Sequence, residues 1–179
     1  MLESLTPEYR VSLLFYNPNI EPRTEYDKRK SELVKLLSKT SYIPQVEVLE
    51  CKYDNAVFSN AVLSLHEEAE GGMRCSVCFE LRLTETAARA KAEGFDIFTT
   101  TLSVSPHKDA ALLNETGERL GQEYGVRYLH SDFKKNNGYK RSVELSGLFS
   151  LYRQDYCGCL YGNESAKSKK IGEINGCTN

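Results

Sequence analysis

Cys75 and Cys78, in "GGMRCSVCFELRL", stand three positions apart just after a glycine pair. At i and i+3 of a helix they share one face. The run from Arg74 is patterned as a helix, which sets both thiols in its first turn, beside backbone N–H groups without intrahelical partners; that position favours thiolate. The spacing suits zinc, an iron–sulfur centre or a redox dithiol, and two small buried hydrophobes are the structural alternative. A thioredoxin-type dithiol would follow a strand directly, whereas this pair follows an acidic segment and a Gly-Gly break, so metal is favoured. Two thiolates make only half of a four-ligand site.

The second pair is Cys157 and Cys159 in "YCGCLYG", separated by Gly158. A disulfide across one residue closes a small ring that is hard to make without strain, and strain raises the reduction potential. Glycine tolerates the bend required. A reversible disulfide is chemically sensible here, while a second pair of zinc ligands and two inert thiols stay open. Were both pairs to meet at one ion, the closed four-thiolate site would be structural rather than reactive.

Other polar clusters offer binding chemistry. In "TTTLSVSPHKD", Ser105 and Pro106 read as an N-cap and first helical position beyond a strand through Thr99 to Thr101. Anions bind at such helix starts, and Lys108 would add charge next to His107. Asn17 and Asn19, in "FYNPNIEPRTEYDKR", leave another strand, where their commonest role is to stabilise a turn. Lys134, Lys135, Lys140 and Arg141, with Arg153, Tyr139 and Tyr152, could form a phosphate-facing strip, although such runs are commonly solvated loops. His66, His107 and His130 have no mutual metal-ligand spacing, and Cys51 and Cys177 read as bystanders.

The elements that must hold these groups alternate. Strands are expected at "YRVSLLFYNPNI", "IPQVEVLEC", "FDIFTTTL" and "VRYLHSDF". Helices are expected from Thr24, with Tyr26, Leu33, Leu36 and Leu37 inward, and over "NAVFSNAVLSLHEEAE" up to Gly71. Further helices span "RCSVCFELRLTETAARAKAEG", "PHKDAALLNETGERLGQEYG" and "YKRSVELSGLF", with Gly94 and Gly125 as stops. Strands alternating with crossover helices predict a layered α/β fold with a mainly parallel sheet.

At 179 residues and 40% hydrophobic content the chain suits one globular domain, and no run is long enough to cross a bilayer. The opening "MLESLTPEYR" lacks a basic start and an apolar core, so a reducing cytoplasm is the expected compartment and the six cysteines need a reason other than disulfide scaffolding. A net charge of -2 gives no global pull on nucleic acid, so any such contact is local.

Read together, the blocks "FYNPNIEPRTEYDKR", "GGMRCSVCFELRL", "GFDIFTTTLSVSPHKD" and "LYRQDYCGCLYG" resemble the QueH-type epoxyqueuosine reductases in content and order, over roughly residues 11 to 161. The resemblance implies a compact Rossmann-like fold, monomeric, that reduces the epoxide of epoxyqueuosine to queuosine at the wobble position of tRNA. It further implies an iron–sulfur cluster, taken as 4Fe-4S, and an electron donor. Cys75 and Cys78 would be cluster ligands, Cys157 and Cys159 the redox-active pair. Asn17, Asn19, Ser105, His107, Lys108 and Arg153 are the substrate-binding candidates. Such proteins begin with a strand ending in a Cys-Cys pair that completes the ligand set, then a helix. Neither cysteine is present, and "MLESLTPEYR" reads as the tail of that helix. The expectation is therefore a single domain over residues 1–161, N-terminally incomplete, followed by a polar, disordered tail over 162–179. Loss of a central strand would leave buried backbone groups unpaired, at about 1 to 3 kcal/mol each, so weak cluster binding and little activity are expected. A structural zinc module built on Cys75, Cys78, Cys157 and Cys159, and a metal-free thiol oxidoreductase, are the rival readings.

Overall fold

The structure, a computed structural model, describes residues 1–40 and 46–162. The expected tail beyond residue 162, with Cys177, lies outside the described residues, as does the start of "IPQVEVLEC". Among the described residues no helix is long and apolar enough to cross a membrane.

A short helix, α1 (Leu2–Leu5), precedes β1 (Ser12–Leu14). The Asn17 carbonyl accepts the Ile20 N–H at 3.2 Å, so the Asn-Pro stretch turns the chain into α2 (Arg23–Lys39). Tyr26 is the buried anchor of α2, its ring edge-on to Phe15 at 5.2 Å and its hydroxyl donating to the Phe15 carbonyl. Leu33, Leu36 and Leu37 are half-buried beside it. β2 (Glu47–Leu49) then pairs parallel with β1, Leu13 opposite Val48.

The helix expected to run to Gly71 stops early. It is α3 (Asn55–Ala61), followed by a 3₁₀ turn over Leu63–Leu65. Beyond it the chain wraps Arg74, only 2% exposed, whose Nη1 donates to the carbonyls of Leu65, His66 and Glu68.

α4 (Met73–Ala92) carries the core stripe Cys75, Phe79, Leu83, Ala87 and Ala90. These stack on Leu113 and Leu120 of α5 (Ala110–Tyr124) and on Phe98, Val126 and Tyr128. Gly94 and Gly125 follow α4 and α5 with left-handed φ of +74° and +68°, the expected stops. β3 (Ile97–Phe98) and β4 (Arg127–Tyr128) pair parallel, and α6 (Gly138–Leu148) closes the described fold.

Two local expectations are corrected. The strand through Thr99 to Thr101 ends at Phe98, because Thr99 Oγ1 donates to the Leu129 carbonyl at 2.9 Å and the chain turns into a 3₁₀ segment, Leu102–Val104. The N-cap of α5 is Asp109, not Ser105: its Oδ1 accepts the N–H groups of Ala111 at 2.8 Å and Leu112 at 3.2 Å.

The α/β class and the parallel pairing hold, but the strands form two separate two-stranded ladders rather than one sheet. Between them lies a cavity of about 170 Å³, walled by Leu13 and Leu14 of β1 and by Ile97 and Phe98 of β3, with Arg82 and Ala90 of α4 beside them.

Candidate active site

α4 begins at Met73, which puts Cys75 in its first turn and Cys78 in its second rather than both in the first. The Gly71 N–H donates to Cys75 Sγ at 3.2 Å, so the glycine pair supplies a donor to the sulfur as well as a break before the helix. Burial pushes the Cys78 thiol up, with Arg82 one turn on opposing it; the thiolate expected from a first-turn position is overturned here by desolvation. Cys78 packs with Cys157, Cys159, Phe58, Val62 and Tyr161 in a small apolar cluster, which brings it to the second cysteine pair, while Cys75 lies in the core stripe of α4.

Cys157 and Cys159 are reduced, with their sulfurs 3.3 Å apart. Gly158 between them has φ +103°, a conformation L side chains rarely adopt. The pair shares its protons unequally. The sulfur–sulfur hydrogen bond with Cys159, helped by the Cys159 N–H and the Lys108 charge, outweighs burial and draws Cys157 down to about 6. The same bond and burial push Cys159 up. Only the first proton leaves easily, as expected of two interacting thiols.

Lys108 is the substrate-binding candidate that reaches this cluster. Burial opposes its charge, yet Cys157, Cys75 and the Glu70 carboxylate hold the ammonium above its ordinary pKa. Its Nζ lies 3.2 Å from Glu70 Oε1. A cation between two thiol pairs lowers the energy of thiolate at either.

The other candidates serve elsewhere. Ser105 Oγ accepts the His107 N–H at 3.3 Å, and the His107 side chain is exposed. Asn17 forms the turn into α2; Asn19 is buried at 4% exposure, and its Oδ1 has no hydrogen-bond partner among the described residues. Arg153 is anchored on α6 through the Ser142 carbonyl and Ser146 Oγ. The basic strip is largely neutralised: Lys134 and Lys135 pair with Asp132, and Arg141 with Glu3 and Glu144. Tyr152 turns inward, its ring under Lys28 Nζ at 3.3 Å and its hydroxyl on Glu25.

Three residues that sequence reasoning missed shape the site. Glu70 partners Lys108. Arg82, one helical turn beyond Cys78, faces the same way, a signal the i, i+4 spacing carried. Arg29 of α2 donates to the Tyr156 and Cys157 carbonyls, 128 residues away at the longer span, and only its i, i+4 partner Glu25 was visible in sequence.

As for metal, no three His, Cys, Asp or Glu side chains converge as a ligand group among the described residues, so the four-thiolate zinc site is not assembled by them. The donor chemistry does fit a share in an iron–sulfur centre. Cys75 and Cys78 offer two sulfurs on one helix face, with an N–H already bonded to one and Arg82 and Lys108 near enough to offset the charge of thiolate ligation.

Fold and site together define a class: parallel α/β proteins in which a helix-borne Cys-x-x-Cys meets a reduced Cys-Gly-Cys loop beside a lysine. The chain belongs to the family described as Epoxyqueuosine reductase QueH, which matches residues 1–165. It is 43% identical over 162 residues to the epoxyqueuosine reductase QueH of Streptococcus pyogenes, covering 89% of this chain and 64% of that protein. It is 40% identical over 166 residues to that of Staphylococcus epidermidis, with 89% and 69% covered. For the Thermotoga maritima relative the figures are 34% over 154 residues, 84% and 78%. The chain thus spans about two thirds of the length of the first two relatives.

Proposed function

We propose that this chain carries the thiol machinery of an epoxyqueuosine reductase, acting on tRNA that bears the epoxide at the wobble position, in the reducing cytoplasm. The observation that supports it most is the contact of the Cys157 and Cys159 sulfurs at 3.3 Å within a cluster that also holds Cys78. The family's description as an epoxyqueuosine reductase supports that substrate.

The reaction is a reductive deoxygenation. An epoxide takes up two electrons and two protons, both C–O bonds break, an alkene forms and the oxygen leaves as water. Cys157 and Cys159 hold both electrons and release them on closing to a disulfide; one proton comes from Cys159 and the other from solvent. An external reductant, of a class still to be identified, reopens it. Cys157 is the thiolate at neutral pH and so the sulfur that exchanges first; Lys108 stabilises its charge; Cys159 keeps the proton. Cys75 and Cys78 are the residues that would hold an iron–sulfur cluster, taken as 4Fe-4S. When bound, that group supplies single-electron transfer and Lewis acidity toward the epoxide oxygen. The apolar cluster of Phe58, Val62 and Tyr161 buries Cys159 and leaves Cys157 partly accessible.

The test is an anaerobic assay on epoxide-bearing tRNA after reconstitution with iron and sulfide. Cys157→Ser and Cys159→Ser are each expected to lose turnover with the cluster's absorption intact, while Cys75→Ser and Cys78→Ser lose both. Undiminished turnover in Cys157→Ser would refute the assignment.

A further inference from the structure

The carbonyls of Tyr156, Cys157 and Gly158 are three consecutive acceptors in a tight loop, and all three are taken up by groups from residues 21–29. Arg29 Nη2 donates to Tyr156 at 3.3 Å and Nη1 to Cys157 at 3.1 Å, while the Glu21 N–H donates to Gly158 at 2.9 Å. The guanidinium is itself held: Nε bonds Glu25 Oε1 at 2.7 Å, that oxygen also receives the Tyr152 hydroxyl at 3.2 Å, and the Tyr156 ring lies 5.1 Å beneath Cζ. The Arg29 side chain is 9% exposed and that of Glu25 12%. The loop fits so closely that a Cβ on residue 158 would lie 2.9 Å from Ile20 Cγ1 and 3.0 Å from Arg29 Nη1. With its backbone fixed on this side, the loop has both sulfurs in mutual contact, and the Gly162 N–H bonds Cys159 Sγ at 3.3 Å.

Two thiols across a single glycine meet only in a narrow set of backbone geometries, so holding that geometry in the dithiol state raises their effective concentration toward each other. A planar fork that bonds two successive carbonyls is suited to this, and a lysine can replace only one of its bonds.

We propose that Arg29 is a positioning residue for the Cys157–Cys159 redox cycle: its guanidinium clamps the Cys-Gly-Cys backbone so that the sulfurs stay poised to close. This rests on the reading of that pair as redox-active. Closure joins Sγ to Sγ; the two thiols lose two electrons and two protons to the oxidant, and with glutathione disulfide as oxidant its S–S bond breaks to give two glutathione thiols.

The experiment equilibrates the full chain, Arg29→Gln and Arg29→Lys in graded glutathione and glutathione disulfide, traps free thiols by alkylation and counts Cys157–Cys159 disulfide by mass spectrometry. Circular dichroism at the assay temperature checks the fold. Expected is a fall of about tenfold in the disulfide equilibrium constant for Arg29→Gln, with Arg29→Lys in between, in protein that stays folded. A purely structural arginine would lower the melting temperature without moving this equilibrium. Should Arg29→Gln not fold, Arg29→Lys carries the test with the same expected direction. A wild-type equilibrium constant in folded variants overturns the clamp and leaves the redox pair standing. Absence of any Cys157–Cys159 disulfide in the wild type overturns both.

Discussion

Cys157 and Cys159 differ in environment although one glycine separates them, and that difference is a measurable asymmetry. Cys157 is drawn down to about 6, so its thiolate is present above that pH and is lost as pH falls through it. Alkylation of Cys157 by iodoacetamide is therefore expected to reach half its plateau rate near pH 6, with Cys159 unreactive until Cys157 is blocked or far more alkaline conditions are reached. Lys108→Gln removes a charge that favours the thiolate, and the Cys157 midpoint should move up. A midpoint that stays put would remove Lys108 from the site. At this scale the sequence was informative where types and spacing sufficed: the thiol pairs, the glycine between the second pair, and Lys108. It was silent on burial. The Cys78 thiol sits among Val62, Leu81 and Tyr161, and nothing local announces that Asn55–Ala61 will pack over it.

At the scale of elements, α4 and α5 behave as their patterns dictate because both stripe and stop are local properties. Cys75, Phe79 and Leu83 recur one turn apart, and glycines end each helix. Leu113 is fully buried in the α4–α5 contact, and Leu113→Ala should cost about 2 to 5 kcal/mol by chemical denaturation. Asp109→Ala should cost about 1 kcal/mol by loss of the cap, whereas Ser105→Ala, at the residue the sequence suggested, should cost clearly less. Equal losses would mean the cap is misplaced. The misreadings share one cause. Asp109 and Ser105 are both good caps; Thr99 to Thr101 has strand composition, yet Thr99 bonds the Leu129 carbonyl just past the partner strand β4; and the carbonyls that follow α3 turn toward Arg74, which reaches back nine residues to Leu65. Each outcome was decided by a partner distant in sequence or by a competitor a few residues away.

Across the whole molecule, two parallel ladders stand either side of a cavity, while α4 reaches from the β3 side to the thiol cluster. The α/β class was legible from alternation; the division into two ladders was not, because strands two or three residues long leave no distinctive periodicity. The family was legible from four blocks in order, and its match over residues 1–165 agrees. Iron and sulfide added anaerobically should give thiolate-to-iron absorption that disappears in Cys75→Ser, in Cys78→Ser and on treatment with a strong chelator. Stoichiometric zinc held by all four cysteines would support the structural module instead.

The most direct measurement is a single turnover: pre-reduced, reconstituted chain, epoxide-bearing tRNA in excess, no external reductant, and acid-quenched thiol trapping. The account predicts queuosine appearing together with a Cys157–Cys159 disulfide in equal amounts, and neither in Cys157→Ser. Product formed while both thiols remain free to alkylate would contradict it.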